Sequence, residues 1–188
     1  SKIDVKVVDN RLIQDVSFNF ISDKNLTLIN SLNAKYQGIS ISNGSLSLNR
    51  NKQINIDGNF NSQLDLDEGS INELFTKIDE EFFKKIKLSI KGSLLHNFSL
   101  KIDENFKLID YNYRSSGRIL NSQIVLKENF KTDFIQKPIK KFSIIQSNLS
   151  IELNKKKNNI LKLDGLYNLG KSENKKFKVS YDLKKKKF

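Results

Sequence analysis

From Ile54 the even positions of the chain read Ile54, Ile56, Gly58, Phe60, Ser62, Leu64, Leu66, while every odd position from Gln53 to Asp67 is polar. A repeat of two sends alternate side chains to opposite faces, so the stretch predicts a strand with one apolar and one polar side. Just upstream, "ISISNGSLSLNR" alternates on either side of Asn43-Gly44. These two residues tolerate the positive φ of a type I′ turn, which predicts a hairpin with Ile41 opposite Leu46 and Ile39 opposite Leu48. A three-residue loop at Arg50-Asn51-Lys52 then sets Leu48 against Ile54 and Leu46 against Ile56. Earlier still, Leu26, Leu28, Leu32, Ala34 and Tyr36 hold even parity up to Gly38, and a glycine at such a parity flip reads as a β-bulge.

Between Ser70 and Ile86 the period changes. Ser70 with Glu73 forms a capping box, and Ile71, Leu74, Phe75, Ile78, Phe82 and Ile86 fall near helical spacing. One amphipathic helix is therefore expected near residues 70–86, with Leu74, Phe75, Ile78 and Phe82 packed on the apolar edge or mouth of the sheet. Asp65-x-Asp67 just before it lacks the Gly and Glu of a calcium loop, so these carboxylates read as helix-start chemistry.

The ribbon then resumes at greater length. Even positions from Ile86 to Ile102 are apolar apart from Gly92 and His96. At about 3.3 Å per residue that run spans on the order of 55 Å, longer than an ordinary strand. After a turn at residues 103–105, Phe106 and Leu108 return opposite Ile102 and Leu100, a bulge falls at Ile109, Phe98 meets Tyr111 and His96 meets Tyr113. Ile124 and Leu126 form a short strand, and Pro138 reads as loop. Alternation returns through Leu149 and Ile151, then Leu161 to Leu169, then Phe177 to Leu183, pairing Leu153 with Leu161 and Leu169 with Phe177, and bringing Gly165 to face Tyr181.

The expected fold is mainly β: a long, twisted antiparallel β-meander curved into a groove, a half-pipe, with one amphipathic helix. Residues 1–68 form a first meander, 69–86 the helix and 87–188 a second meander, all within one β-rich segment. The absence of Met even at position 1 and the ending "DLKKKKF" favour a segment of a larger protein. A transmembrane barrel is disfavoured by the helix between strands, the absence of Trp and the four lysines before Phe188. A closed sandwich is the competing architecture. In the groove reading the lining is Ile54, Ile56, Phe60, Leu64, Leu88, Ile90, Leu94, Phe98, Leu100, Ile102, Tyr111, Tyr113, Ile119, Leu149, Ile151, Leu163, Tyr167, Val179 and Tyr181.

Composition narrows the chemistry. There is no Cys, which removes disulfides and thiolate catalysis, and His96 is the only His, which removes any site built on two imidazoles. No carboxylate pair is placed for acid/base work, so no catalytic, metal or cofactor residues are expected and the chain is not read as an enzyme. His96 reads as a packed or hydrogen-bonded residue near Tyr113. The net charge of +12 comes mostly from Lys in a chain also rich in Asn and Ile, residues of A/T-rich codons, and reads as a solvated outer face. Tyr111, Tyr113, Tyr167 and Tyr181 share their face with Leu and Ile rather than interleaving with Arg, so no nucleic-acid partner is expected. No apolar run approaches the roughly 18 to 20 residues of a membrane-crossing helix, and no signal peptide is present.

Long two-faced strands, Ser/Asn-rich exteriors, a lone helix and phrases such as "HNFSLKIDENFKLIDYNYRSSGRIL" and "ILKLDGLYNLG" resemble the AsmA-like proteins of the Gram-negative envelope, which belong with the bridge-like lipid-transport proteins. The resemblance implies a periplasmic protein, anchored in the inner membrane through a part outside this segment. It also implies a hydrophobic β-groove that carries phospholipid acyl chains between the inner and outer membranes. The alternative is a structural or adhesive β-sandwich with a dry core and no ligand.

Overall fold

The computed structural model describes residues 3–6, 12–75, 80–132, 135–156, 159–170 and 172–183. The strands are β1 (Ile3–Lys6), β2 (Leu12–Ser22), β3 (Leu26–Tyr36), β4 (Ile39–Arg50), β5 (Ile54–Leu66), β6 (Ile86–Ile102), β7 (Leu108–Thr132), β8 (Ile135–Asn154), β9 (Ile160–Leu169) and β10 (Lys175–Asp182). Two helices, α1 (Glu68–Phe75) and α2 (Glu80–Lys85), stand between β5 and β6. All ten strands form one antiparallel sheet in the order of the chain, and β1 and β10 do not meet to close a barrel. The sandwich alternative needs a second sheet, and among the described residues every strand belongs to this one. The helices do not divide it either, since β5 and β6 pair without a break from Ile54↔Ile102 to Leu66↔Ile90.

The two turn signals near residue 40 exchange roles. Gln37 and Gly38 both have positive φ, 48° and 77°, and make the two-residue turn that pairs Tyr36 with Ile39. Asn43 has φ 52° but sits inside β4 as a bulge, where the register with β5 shifts between Ser42 and Ser45. The hairpin expected at Asn43-Gly44 is thus a bulge, and the bulge expected at Gly38 is the hairpin. The physical reason is strand length: turning at Gly38 lets all of β3 pair along β4, from Tyr36↔Ile39 to Leu26↔Asn49, whereas turning at Asn43 would leave only a stub on each side. Similar positive-φ residues at Asp15, Ser31 and Gln146 mark bulges in β2, β3 and β8. The one at Ser31 puts Ile29 opposite Leu46 and so turns Leu26 and Leu28 to the polar side.

Several other expectations shift without changing face. Phe98 faces Tyr113 and His96 faces Ser115, each two residues from the anticipated partner, and Leu100 faces Tyr111 rather than Leu108, with the bulge at Ile109 in place. Leu48 pairs with Ile56, Leu161 pairs with Ile151 rather than Leu153, and Phe177 rather than Tyr181 lies opposite Gly165. The short strand expected around Ile124 is part of β7, and Pro138 lies inside β8 rather than in a loop. The last β8–β9 pair is Phe142↔Leu169, so at Pro138 the strand has a neighbour on one side only and the missing N–H breaks no second ladder.

Helix formation also begins earlier than the capping box suggests. Asp67 is the cap: its Oδ1 accepts the Ser70 N–H at 2.8 Å and its carbonyl accepts the Ile71 N–H at 3.0 Å. Glu73 turns outward and accepts a 2.6 Å hydrogen bond from Gln37 Nε2, which ties α1 to the β3–β4 turn. Both helices pack on the sheet, α1 on β5 and β6 and α2 on β6 and β7. Leu66, Ile71 and Ile86 are buried at this junction and Leu74 is half-buried. Ile78 lies outside the described residues, as do the side chains of Phe75 and Phe82.

Candidate functional site

In an antiparallel pair, residues opposite each other point to the same side. Following the register from strand to strand gives rows such as Phe60, His96, Ser115, Ile151, Leu161, Tyr181, and next to it Ser62, Leu94, Gly117, Leu149, Leu163, Val179. A third row runs Leu64, Gly92, Ile119, Ser147. The rest of the lining falls on this face too: Ile54 with Ile102, Ile56 with Leu100, Phe98 with Tyr113, Leu88 with Ile124, and Ile90 through Ser122 and Ile144 to Tyr167. All nineteen anticipated residues therefore share one face of the sheet. The strands of the amino-terminal part extend it through Ile39, Ile41, Leu46 and Leu48, which sequence patterning placed on the apolar side without assigning them to the lining.

Except where α1 and α2 pack, this face has no second layer over it among the described residues. Among the described residues, buried apolar side chains are confined to Val16, Ala34, Leu66, Ile71, Ile86, Leu94 and Ile119. The other lining residues are half-buried, and Val179 and Tyr181 are exposed. The chain exposes 13527 Å² for a mass of 21.7 kDa, whereas a compact protein of that mass exposes about 9,200 Å². The difference is the surface of an open sheet.

Small residues let the face curve. Ser62, Ser115 and Ser147 are buried although only sheet neighbours surround them, which requires the flanking side chains to lean together over a concave floor. A Cβ on Gly58 would meet Phe98 Cε1 at 2.6 Å, and one on Gly92 would meet the Arg118 carbonyl oxygen at 2.6 Å. Glycine is thus required where a ring or a neighbouring backbone crosses the floor. Bulges in five of the strands add to the bend.

His96 is the one ionisable ring on that floor. Its Nε2 lies 2.8 Å from Ser62 Oγ, its Nδ1 lies 2.8 Å from Tyr113 Oη, and the ring stacks on Phe60 with centroids 4.4 Å apart. A neutral imidazole donates from one nitrogen and accepts at the other, so both hydroxyls suit the uncharged ring. Ser62 is buried beneath this contact, so its hydroxyl presents no open face to a substrate. Ser115 Oγ, directly across from His96, is buried with no hydrogen-bond partner. The tyrosines pack among apolar and aromatic neighbours: Tyr167 lies 5.8 Å from Phe142 and 6.0 Å from Phe177 between ring centroids.

Burial holds the His96 pKa below its ordinary value. The unfolded chain then binds the proton more readily, so stability is present above about pH 6.5 and falls as the pH drops through that value toward the folded pKa. Asp23, Asp67 and Asp110 are held below the ordinary carboxylate value, the first two chiefly by backbone N–H donors, and lose their contribution only at more acid pH. Urea unfolding at about pH 7.5 and about pH 5.5 should show a loss of stability on acidification that His96→Asn abolishes. An equal loss in that variant would show that the ring is not the group responsible.

The opposite face is polar. Its charges pair across strands where Lys91 meets Asp65 at 3.0 Å and Lys35 meets Asp15 at 2.7 Å, and Lys87 reaches Glu68 of α1 at 3.0 Å, all exposed enough to contribute little to stability. Among the described residues no group of three His, Asp or Glu side chains could hold a metal ion, and no helix is long and apolar enough to cross a membrane. No family model, curated protein or solved structure matches this chain.

Proposed function

We propose that the concave apolar face holds the acyl chains of phospholipids, and that the chain is a segment of a periplasmic AsmA-like bridge carrying them between inner and outer membranes. One observation carries the reading: a ten-stranded sheet keeps a single apolar face across its strands, and among the described residues a second layer covers it only where α1 and α2 pack. Left in water, such a face is costly and prone to association. Filled with acyl chains, it gains about 0.8 kcal/mol for each CH₂ buried. The lining supports chains rather than a compact ligand because it offers length and apolarity with one polar cluster, at His96, whose ring nitrogens are already satisfied. Headgroups would stay in water along the open side.

A photo-reactive residue at Ile56 or Leu100, which face each other across β5 and β6, should crosslink to phospholipid in cells. One at Asn97 or Ser99, on the polar side, should not. Leu100→Asp combined with Ile56→Asp should lower co-purified phospholipid about tenfold or more, because an ionised carboxylate cannot be buried against acyl chains without a partner. Mass spectrometry of the extracted lipid reads this directly. Absence of crosslinks along the whole apolar face would refute the proposal.

A further inference from the structure

The two edges of the sheet at the strand ends differ. One is covered by α1 and α2 and carries Asp67, Glu68, Glu73 and Glu81 together with Lys84, Lys85 and Lys87. The other is formed by the turns β2–β3, β4–β5, β6–β7 and β8–β9, with bonds that tie a turn to a neighbouring strand end: Arg50 N–H donates to the Asn25 carbonyl at 2.6 Å, Lys155 N–H to the Tyr111 carbonyl at 3.3 Å, and Leu183 N–H to the Asn159 carbonyl at 2.7 Å. Along this turn edge stand six cationic residues, Lys24, Arg50, Lys52, Lys107, Lys155 and Lys156, against Asp23, Asp103, Glu104, Asp110 and Asp182, and Lys156 is paired with Asp110 at 3.4 Å. Asp23 and Asp103 are engaged as turn caps, each accepting two backbone N–H groups on Oδ1.

The same edge holds the three most exposed large apolar side chains among the described residues: Phe106 at 80 %, Ile21 at 70 % and Phe20 at 66 %. Phe106 is presented at the tip of a braced turn. Its N–H donates to the Asp103 carbonyl at 3.1 Å, and Asp103 N–H donates to the Lys107 carbonyl at 3.0 Å. Its φ is +59°, a conformation that Asn or Gly adopts at least cost. Neither packing nor turn chemistry accounts for a phenyl ring there.

We infer that this turn edge docks on an anionic phospholipid bilayer. An exposed aromatic ring beside lysines is the pairing that enters a membrane interface, the ring at the headgroup boundary and the ammonium groups on lipid phosphates. The helix edge, at the opposite ends of the strands, also offers Lys84 and Lys85, so the exposed apolar side chains are what distinguish the turn edge. The inference rests on the groove reading for its purpose, since docking there would set one long rim of the apolar floor at the bilayer, but its evidence is separate.

The test is co-flotation of the full 188-residue chain with phosphatidylcholine vesicles, with and without phosphatidylglycerol. The chain should float with the anionic vesicles only, and raised salt should release it. Phe106→Asp should lower partitioning about tenfold, and Lys52→Ala and Lys107→Ala about fivefold each. Lys84→Ala with Lys85→Ala, at the helix edge, should leave it unchanged, and circular dichroism should show all variants folded. Failure to float at low salt, or equal losses from the helix-edge pair, overturns the inference. So does self-association that Phe106→Asp abolishes, which would assign the edge to a second copy. Lipid crosslinking at Leu100 in the Phe106→Asp variant separates the two readings: its persistence leaves the groove standing whatever the flotation result.

Discussion

Gly117→Val should destabilise the chain by about 3 kcal/mol. A Cβ at Gly117 would lie against the Ser93 carbonyl oxygen and 2.8 Å from Leu94 Cα. Both are backbone of β6, the partner strand, so no side-chain rotation makes room and the β6–β7 ladder itself must part. Gly117 has no positive φ, which leaves space as the whole of the effect. Gly69, in the first turn of α1, supplies the contrast, because a Cβ there would meet only Asp67 Oδ1 at 3.5 Å. Gly69→Ala should stabilise by about 0.5–1 kcal/mol through helix propensity. Urea midpoints for the two variants should move in opposite directions, and movement in the same direction by similar amounts would sink the argument for a close strand approach.

Ile71→Ala should cost about 3 kcal/mol, within the roughly 2–5 kcal/mol seen for such truncations in cores. Ile71 is 1 % exposed and lies where α1 meets β5 and β6, beside the buried Leu66 and Ile86. This is the one place where a second layer covers the sheet, so a cavity there has no solvent to fill it and little freedom to collapse. Leu74→Ala, on the same helix but half-buried, should cost about half as much. The ratio is measurable by chemical denaturation, and equal losses would mean that α1 does not dock through Ile71.

Which side chains share a face was legible because parity survives errors of pairing. The partners of His96 and Phe98 are displaced by two residues along β7, and a displacement of two keeps every side chain on its face, while Leu100 moves by three across the Ile109 bulge with the same result. Turns and bulges were less legible, for a related reason. Moving from Tyr36 to Ile39, and from Ile41 to Gly44, changes the parity of the apolar face each time, and a two-residue turn and a one-residue bulge produce the same change. Only the length of strand left to pair on either side distinguishes them, and that is a property of the whole sheet. The Asp67 cap was hidden because Ser70 and Glu73 satisfy a local rule while Glu73 is used elsewhere, by Gln37 from a distant turn. The apolar floor and the His96–Tyr113 contact were therefore readable from local chemistry, whereas the bond from His96 to Ser62 joins diagonal neighbours on a third strand. The exposed ring at Phe106 had been assigned to the start of a strand, and its place at a turn tip follows from the Asp103 cap.

Sheet order equal to chain order also governs how the molecule comes together. Each strand finds its partners immediately before and after it, so no pairing waits for distant ends to meet, and loop-closure entropy is met one hairpin at a time. Folding can start at any hairpin and spread outward as a zipper, with the long β7–β8 and β6–β7 pairs offering the most contacts to a nucleus. Such a sheet behaves as a one-dimensional array whose stability is a sum over neighbouring strands. Its width is then adjustable in hairpin units of roughly 10 Å, and removing or adding one would lengthen or shorten the floor without asking any other strand to change partners.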